Sequence, residues 1–337
     1  MSPPNHRVVV TQRFFDPQTI AFLQQHGCEV SIADLPPGRA DGDLSQAELE
    51  DLMAGAAGWI VGHARVTRSL LAALPNLRVI SRRGVGYERV DIDAVRDLGR
   101  VACIAAGGND ASVADHTIAM MLALGRRFRE SQANMLAGNW SILMGSDLYQ
   151  KTVGIIGLGR IGRSLVQRLR GFEARILVLD HAHDPEYAAA NAITPVTLAE
   201  LLGQSDYVTV HAPLTPQTRF MIDADALALM KPTAFLINAA RGGLVDDRAL
   251  LDALRAGTIA GAGLDTFVSE SDPEYRAVSD ALLALPNVVA TPHAAASSRE
   301  GLDRTNRVAA MCVVDVLEGR TPPAACVIAD GRAPAGS

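Results

Sequence analysis

The stretch Gly157-Leu158-Gly159-Arg160-Ile161-Gly162 constrains this chain more than any other. It has the spacing G-x-G-x-x-G, follows the apolar run TVGII at 152–156, and opens a helical pattern over 161–170. The first glycine permits a tight turn, the second lets a pyrophosphate approach the backbone, and the third lets helix and strand pack closely. A helix starting there presents N–H groups and the positive end of its dipole to phosphates. Gly157, Gly159, Arg160, Ile161 and Gly162 are therefore candidate dinucleotide contacts. Spacing alone is weak, because an ordinary glycine-rich turn satisfies it. Here the next strand, RILVLD, ends in Asp180, near the expected offset of about 20 residues. A carboxylate at that point accepts from both ribose hydroxyls and repels a 2′-phosphate, so NAD is expected over NADP. The bland alternative for Asp180 is a solvated acid at a strand end.

Around this motif, short apolar runs alternate with helical patterns. Strands are expected over 7–11, 28–32, 59–62 and 78–81, with amphipathic stretches at 45–54 and 69–74. One long apolar helix is expected over 112–129. A second series of strands follows at 152–156, 175–180, 207–210, 234–238, 261–264 and 288–291, and a final helix at about 297–317. This βαβα rhythm predicts parallel sheets covered by helices. With 337 residues the chain is too long for one ordinary core. Two α/β domains are expected: a cofactor domain over 106–291, and a discontinuous domain of 1–105 with 292–337. Pro292 cuts off the final helix, which returns to the first domain. The Ala-, Pro- and Gly-rich tail after Pro322 is expected to be partly loose.

Composition narrows the function classes. A hydrophobic fraction of 48% with 20% charged residues is globular, and the net charge of −6 disfavours nucleic acid or an anionic membrane as partner. The four cysteines, Cys28, Cys103, Cys312 and Cys326, form no C-x-x-C pair, so neither zinc nor a disulfide framework is expected, and a reducing cytoplasm is the expected location. No stretch approaches the ~18 apolar residues of a membrane span. The first seven residues hold no apolar run behind a basic start, so no secretory leader is expected.

Further blocks appear in order along the chain: Arg-Arg-Gly-Val-Gly-Tyr at 82–87, Ser-Val-Ala-Asp-His at 112–116, His-Ala-Pro-Leu-Thr at 211–215, Asn-Ala-Ala-Arg-Gly at 238–242, Gly-Leu-Asp-Thr-Phe at 263–267 with Glu270, and Thr-Pro-His at 291–293. With the glycine fingerprint between them, they make the chain resemble the D-isomer-specific 2-hydroxyacid dehydrogenases. The resemblance runs from about residue 58 to 319. It implies an α/β architecture of two doubly wound parallel-sheet domains, a Rossmann NAD-binding domain inserted into a flavodoxin-like substrate domain. It also implies hydride transfer between NAD and C2 of a small anionic 2-hydroxy or 2-oxo acid.

Carbonyl reduction needs a cation to hold the carboxylate and polarise the carbonyl, and a proton donor. Arg241 suits the first role, since a planar guanidinium can pair bidentately with a carboxylate at a strand's carboxyl end. His293, also at a strand end, suits the second. The bland reading of a lone histidine, a satisfied core or surface group, still applies to His6, His26, His63, His181 and His183. The resemblance makes Glu270 the partner that fixes the His293 tautomer and favours its protonated form. The family often has proline directly after this Glu. This chain reads Glu270-Ser271-Asp272-Pro273, which makes Asp272 a competitor, but the offset of five from Asp265 favours Glu270.

The resemblance also assigns Asp265 to the nicotinamide carboxamide, His211 and Pro213 to the adenosine side, and Ala239 and Ala240 to the cofactor. The turn Gly84-Val85-Gly86 resembles one whose N–H groups grip the substrate carboxylate; Val85 and Gly86 are its substrate contacts. Arg83 departs from the family, which commonly has a small residue there. With Arg65 on the preceding loop it adds positive charge that can read a second anionic group; the alternative is an outward, solvated arginine. The helix over 112–129 resembles the family's subunit interface, so a homodimer is expected. A dinucleotide-sensing, corepressor-like regulator on the same fold is the competing function. A formate-type enzyme is disfavoured by Glu270.

Overall fold

The computed structural model describes residues 6–36, 38–180 and 184–332. His181, His183 and the last five residues of the tail lie outside the described residues. The described strands are β1 (His6–Val10), β2 (Cys28–Ile32), β3 (Gly58–Val61), β4 (Val79–Arg82), β5 (Val101–Ile104), β6 (Thr152–Ile156), β7 (Arg175–Leu179), β8 (Ile193–Pro195), β9 (Tyr207–Val210), β10 (Phe235–Asn238), β11 (Gly261–Leu264), β12 (Val288–Ala290) and β13 (Val327–Asp330). Strands β5, β8 and β13 are not among those expected from the sequence.

Residues 1–109 with 297–337 form one compact unit and residues 110–296 the other. The sequence places the junctions at 105/106 and 291/292; the structure puts them at 109/110 and 296/297. The second junction moves because consecutive N–H groups tie the loop after β12 to Asp265. His293 donates to the Asp265 carbonyl at 2.8 Å, and Ala294 and Ala295 donate to its carboxylate at 2.7 and 3.0 Å. Pro292 ends a strand but not the unit. At the first junction, Ala105 donates to Gly84 O at 2.9 Å and Arg304 Nε donates to Gly108 O at 3.0 Å, which keeps 105–109 in the first unit.

In the first unit the parallel strands run β2-β1-β3-β4-β5. This is the flavodoxin-like order 2-1-3-4-5. One face packs on the helices Pro17–Gln25 and Arg299–Leu317, through Leu23, Ala309, Cys312 and Val313. The other packs on Gln46–Met53 and Arg68–Ala73, through Leu49, Met53, Leu70 and Leu71. Ser45 and Glu48 close a reciprocal cap on the first of these, as an S-x-x-E start should. The tail after Pro322 is not loose throughout: β13 pairs antiparallel with β5 and buries Ala329. An uncovered β5 would leave an open row of backbone donors and acceptors at the sheet edge, and β13 satisfies it.

The second unit is a seven-stranded parallel sheet in the order β8-β7-β6-β9-β10-β11-β12. From β8 to β11 this is the doubly wound order 3-2-1-4-5-6, with β12 added at the edge. The chain reverses direction across the sheet between β6 and β9, and ligands bind outside the carboxyl ends of strands at such a point. The helix expected over 112–129 is two helices, Asp110–Gly125 and Phe128–Leu136. The Gly125 carbonyl accepts from Ser146 N at 2.7 Å instead of continuing the ladder, and Arg127 turns left-handed with φ 52°. The first helix buries Val113, Ala114, Met120, Met121 and Leu124 inside its own unit; the second buries nothing.

Candidate active site

The glycine fingerprint is a close-approach turn. Gly157 has φ +97°, and a Cβ on it would lie 2.8 Å from His211 O. A Cβ on Gly162 would lie 2.3 Å from Gly157 O. Glycine is required at both places by backbone geometry. A Cβ on Gly159 would meet nothing within 4 Å, so the start of the helix Arg160–Leu169 faces open space. Gly159 caps that helix without a side chain. The first-turn N–H groups of Arg160, Ile161 and Gly162 thus lack intrahelical acceptors. Asp180 follows β7, and its Oδ1 lies 3.4 Å from Leu158 N inside the turn. Ile161 packs against a small cluster of Val113, Ala239 and Ala295, which joins the fingerprint helix to the loops after β10 and β12.

On the adjacent strand end, His211 Nε2 is 2.9 Å from Thr209 Oγ1, while Nδ1 is buried without a partner. Burial lowers the imidazole pKa to about 4, so it is neutral at pH 7. Pro213 O accepts from Thr218 Oγ1 at 2.7 Å, closing the loop that follows. An uncapped helix start, a side-chain-free cradle and an orphaned buried nitrogen all fit a dinucleotide across the β6/β9 reversal.

Arg241 sits just beyond β10. Asn238, 1% exposed, fixes the turn that presents it: Nδ2 donates to Arg241 O at 2.8 Å and Oδ1 accepts from Ala240 N at 3.1 Å. A Cβ on Gly242 would lie 2.2 Å from Phe267 O, so this turn lies directly against the segment carrying Glu270. Glu270 ends the short turn Val268–Glu270. Its Oε1 accepts from Phe267 N at 2.8 Å and its Oε2 meets His293 Nδ1 at 2.7 Å. Burial pushes the Glu270 pKa up, but the hydrogen bond and charge of His293, the Phe267 N–H and the Arg241 charge together hold it below the usual carboxylate value. Asp272 is not the histidine's partner; it caps the next turn by accepting from Glu274 N at 3.1 Å. Beneath the pair, buried Asp247 accepts from Val268 N at 2.9 Å, and burial raises its pKa to about 6.

His293 has φ +52°, a left-handed conformation uncommon for a side-chain-bearing residue. The loop is held there by Asp265, which is fully buried. Besides the three loop N–H groups, Asp265 Oδ1 accepts from Thr291 Oγ1 at 2.5 Å, and His116 Nε2 lies 2.9 Å from the same hydroxyl. The sequence points Asp265 to the cofactor alone; this brace, with His116 and Thr291, and the role of Asn238 emerge only in the structure. His116 and Thr291 lie inside contiguous sequence blocks, but nothing local marks residues 175 positions apart as partners.

In the first unit, Gly84 O accepts from Ala105 N at 2.9 Å and Arg82 Nε donates to Gly86 O at 2.7 Å. These bonds shape the turn while leaving the N–H groups of Val85 and Gly86 unbonded within the described residues. Arg83 is not an outward, solvated side chain. It points into a cavity, whereas Arg65 is exposed and lies outside that cavity.

Residues 118–295 match the family described as "D-isomer specific 2-hydroxyacid dehydrogenase, NAD binding domain". The chain is 39% identical over 268 residues to D-3-phosphoglycerate dehydrogenase of Mycobacterium leprae (strain TN), covering 79% of this chain and 50% of that protein. It spans about half the length of the curated phosphoglycerate dehydrogenases it matches first. It is 36% identical over 264 residues to glyoxylate reductase of Korarchaeum cryptofilum (strain OPF8), covering 77% and 78% of the two. Among solved structures, the TT0316 protein from Thermus thermophilus superposes with a TM-score of 0.83 at 34% identity, covering 96% of this chain and 99% of that one. None of these comparisons supports the corepressor-like reading. By the matched span and these identities, the chain belongs to the D-isomer specific 2-hydroxyacid dehydrogenase family.

Proposed function

We propose that this chain is an NAD-dependent D-2-hydroxyacid dehydrogenase acting on a small anionic 2-hydroxy or 2-oxo acid. The Glu270–His293 pair carries the reading: an imidazole held at 2.7 Å by a carboxylate that is kept ionised by that bond and, in part, by the Arg241 charge. The N–H groups of Arg160, Ile161 and Gly162 would hold the dinucleotide, with Asp180 at its ribose, and the bound cofactor would supply or accept the hydride. Arg241 holds the substrate carboxylate and polarises the C2 carbonyl. Val85 and Gly86 offer further N–H groups to an oxyanion. The bond to Glu270 fixes the proton on Nδ1, so proton exchange with the substrate oxygen falls to Nε2. In reduction His293 donates that proton to the forming alkoxide; in oxidation it removes it from the hydroxyl.

We assign the protein to the cytoplasm and to a homodimer. The four cysteines are buried and none is in a disulfide, which suits a reducing compartment. No described helix is long and apolar enough to cross a membrane. The dimer surface is proposed on the segment after the helix Asp110–Gly125, whose Val113, Ala114, Met120, Met121 and Leu124 pack within their own unit. Phe128, Leu136, Trp140, Ile142 and Met144 are instead exposed within one stretch, an apolar patch of the kind a second copy covers.

The test is NADH oxidation with glyoxylate, hydroxypyruvate, pyruvate, 3-phosphohydroxypyruvate and 2-oxoglutarate, on the wild type and Arg241→Ala. Turnover of at least one acid is expected, with Arg241→Ala losing about ten- to hundredfold in kcat/KM, the value of a charged hydrogen bond. Near-normal turnover in that variant would show that another residue holds the carboxylate.

A further inference from the structure

A cavity of about 510 Å³ opens in the first unit, lined by Thr11, Gln12, Arg13, Arg39, His63 and Arg83 among others. Its charge is unbalanced. Arg39 is paired with Glu48 at 3.0 Å. Asp41, the acid in the wall, is already satisfied by Gly62 N and His63 N, each at 2.7 Å, and by Thr11 Oγ1 at 2.8 Å. Arg83 and Arg13 have only neutral oxygen partners. Arg83 Nη1 donates to Arg13 O at 2.6 Å, and its Nη2 donates to Gln12 Oε1 at 2.8 Å. Arg13 Nη2 donates to the carbonyls of Leu35, Pro36 and Arg39. Burial pulls the Arg83 pKa down to about 10, and the Asp41 charge nearby offsets only part of that fall.

The sequence builds this arrangement at Gly62. A Cβ there would fall 1.6 Å from the Gln12 amide, so only glycine leaves room for Gln12 to lie across β3's end and reach Arg83. Neutral acceptors fix the guanidinium's direction without neutralising it. Five N–H donors on a rigid fork then leave several for an incoming oxyanion. Arg83 adjoins the Gly84-Val85-Gly86 turn, whose free N–H groups suit a carboxylate.

We propose that this cavity is a specificity subsite for a second oxyanion, with Arg83 as its reader, Arg13 as a second cation and Gln12 over Gly62 as the positioning residue. The substrate would then be a doubly anionic 2-oxo acid carrying a distal phosphate or carboxylate. This rests on the dehydrogenase reading above.

Two measurements on the full chain test it. The first is the ratio of kcat/KM for 3-phosphohydroxypyruvate over hydroxypyruvate, and for 2-oxoglutarate over 2-oxobutyrate, in wild type, Arg83→Met, Arg83→Lys and Arg13→Gln. The pair with the larger wild-type ratio identifies phosphate or carboxylate as the distal group. Arg83→Met should lower that ratio about ten- to hundredfold, mainly through KM, with part recovered in Arg83→Lys. Arg13→Gln, at an exposed position, should lower it by a smaller factor. Ratios unchanged in all three variants overturn the subsite. The second measurement is the rise in Tm with inorganic phosphate, which needs no turnover. A rise in the wild type that is lost in Arg83→Met supports the site; equal rises in both overturn it. Failure to reduce any 2-oxo acid would count against the dehydrogenase reading, and the phosphate titration would still decide the subsite.

Discussion

Replacing Glu270 by Gln keeps the shape of the acid/base pair and removes one negative charge. The two side chains meet at 2.7 Å and are 38% and 41% exposed, so solvent screens them substantially. A fully exposed ion pair is worth roughly 0.2–1 kcal/mol, and a charged hydrogen bond away from water about 1.5–3 kcal/mol. A half-exposed pair with good geometry falls between these, at about 1–2 kcal/mol. The bond to His293 is the first cause that holds the Glu270 carboxyl ionised against its burial. Losing about 1–2 kcal/mol of that interaction should lower reductive kcat/KM of the variant by roughly five- to thirtyfold. The sign follows from the reaction. Reduction uses the protonated imidazole, so its rate falls as pH rises. The acid limb has the opposite dependence: the Glu270 pKa is depressed, so its contribution is present above the ordinary carboxylate range and is lost as pH falls through the depressed value. The assay is the reductive pH–rate profile of wild type, Glu270→Gln and His293→Ala. His293→Ala should lose about a hundred- to ten-thousandfold in kcat with NADH binding kept. An acid limb that stays in place in Glu270→Gln would show that these residues do not work as a pair.

Two further outcomes are expected. Asp180→Ala should narrow the kcat/KM preference for NAD over NADP, because the carboxylate that repels a 2′-phosphate is gone; a wild type that prefers NADP would refute the reading of Asp180. Trp140→Glu with Met144→Glu should convert the proposed dimer to a monomer by light scattering, since both side chains are exposed within the apolar stretch; a monomeric wild type would refute the dimer, and a dimer that survives both changes would place the interface elsewhere.

Two series of buried strands with helices between them were legible because burial imposes periods of two and 3.6 residues on the sequence itself. The cofactor turn was legible because its glycines are demanded by contacts only a few residues apart, such as Gly162 against Gly157. Arg241 and His293 were named as candidates because each lies in a contiguous block at a strand end, and Glu270 through its offset of five from Asp265. What the blocks do not contain is decided by partners distant in the chain. The strand β13 exists because β5, more than two hundred residues earlier, needs an edge covered. The helix over 112–129 breaks because Ser146 takes the Gly125 carbonyl. The loop bearing His293 is held left-handed by Asp265, which is itself linked through Thr291 to His116. Arg83 turns inward onto the Arg13 carbonyl and Gln12 Oε1, 70 and 71 positions earlier. A local pattern records whether a side chain is buried, but not which distant donor or acceptor satisfies it, and that pairing exists only once the chain has closed on itself.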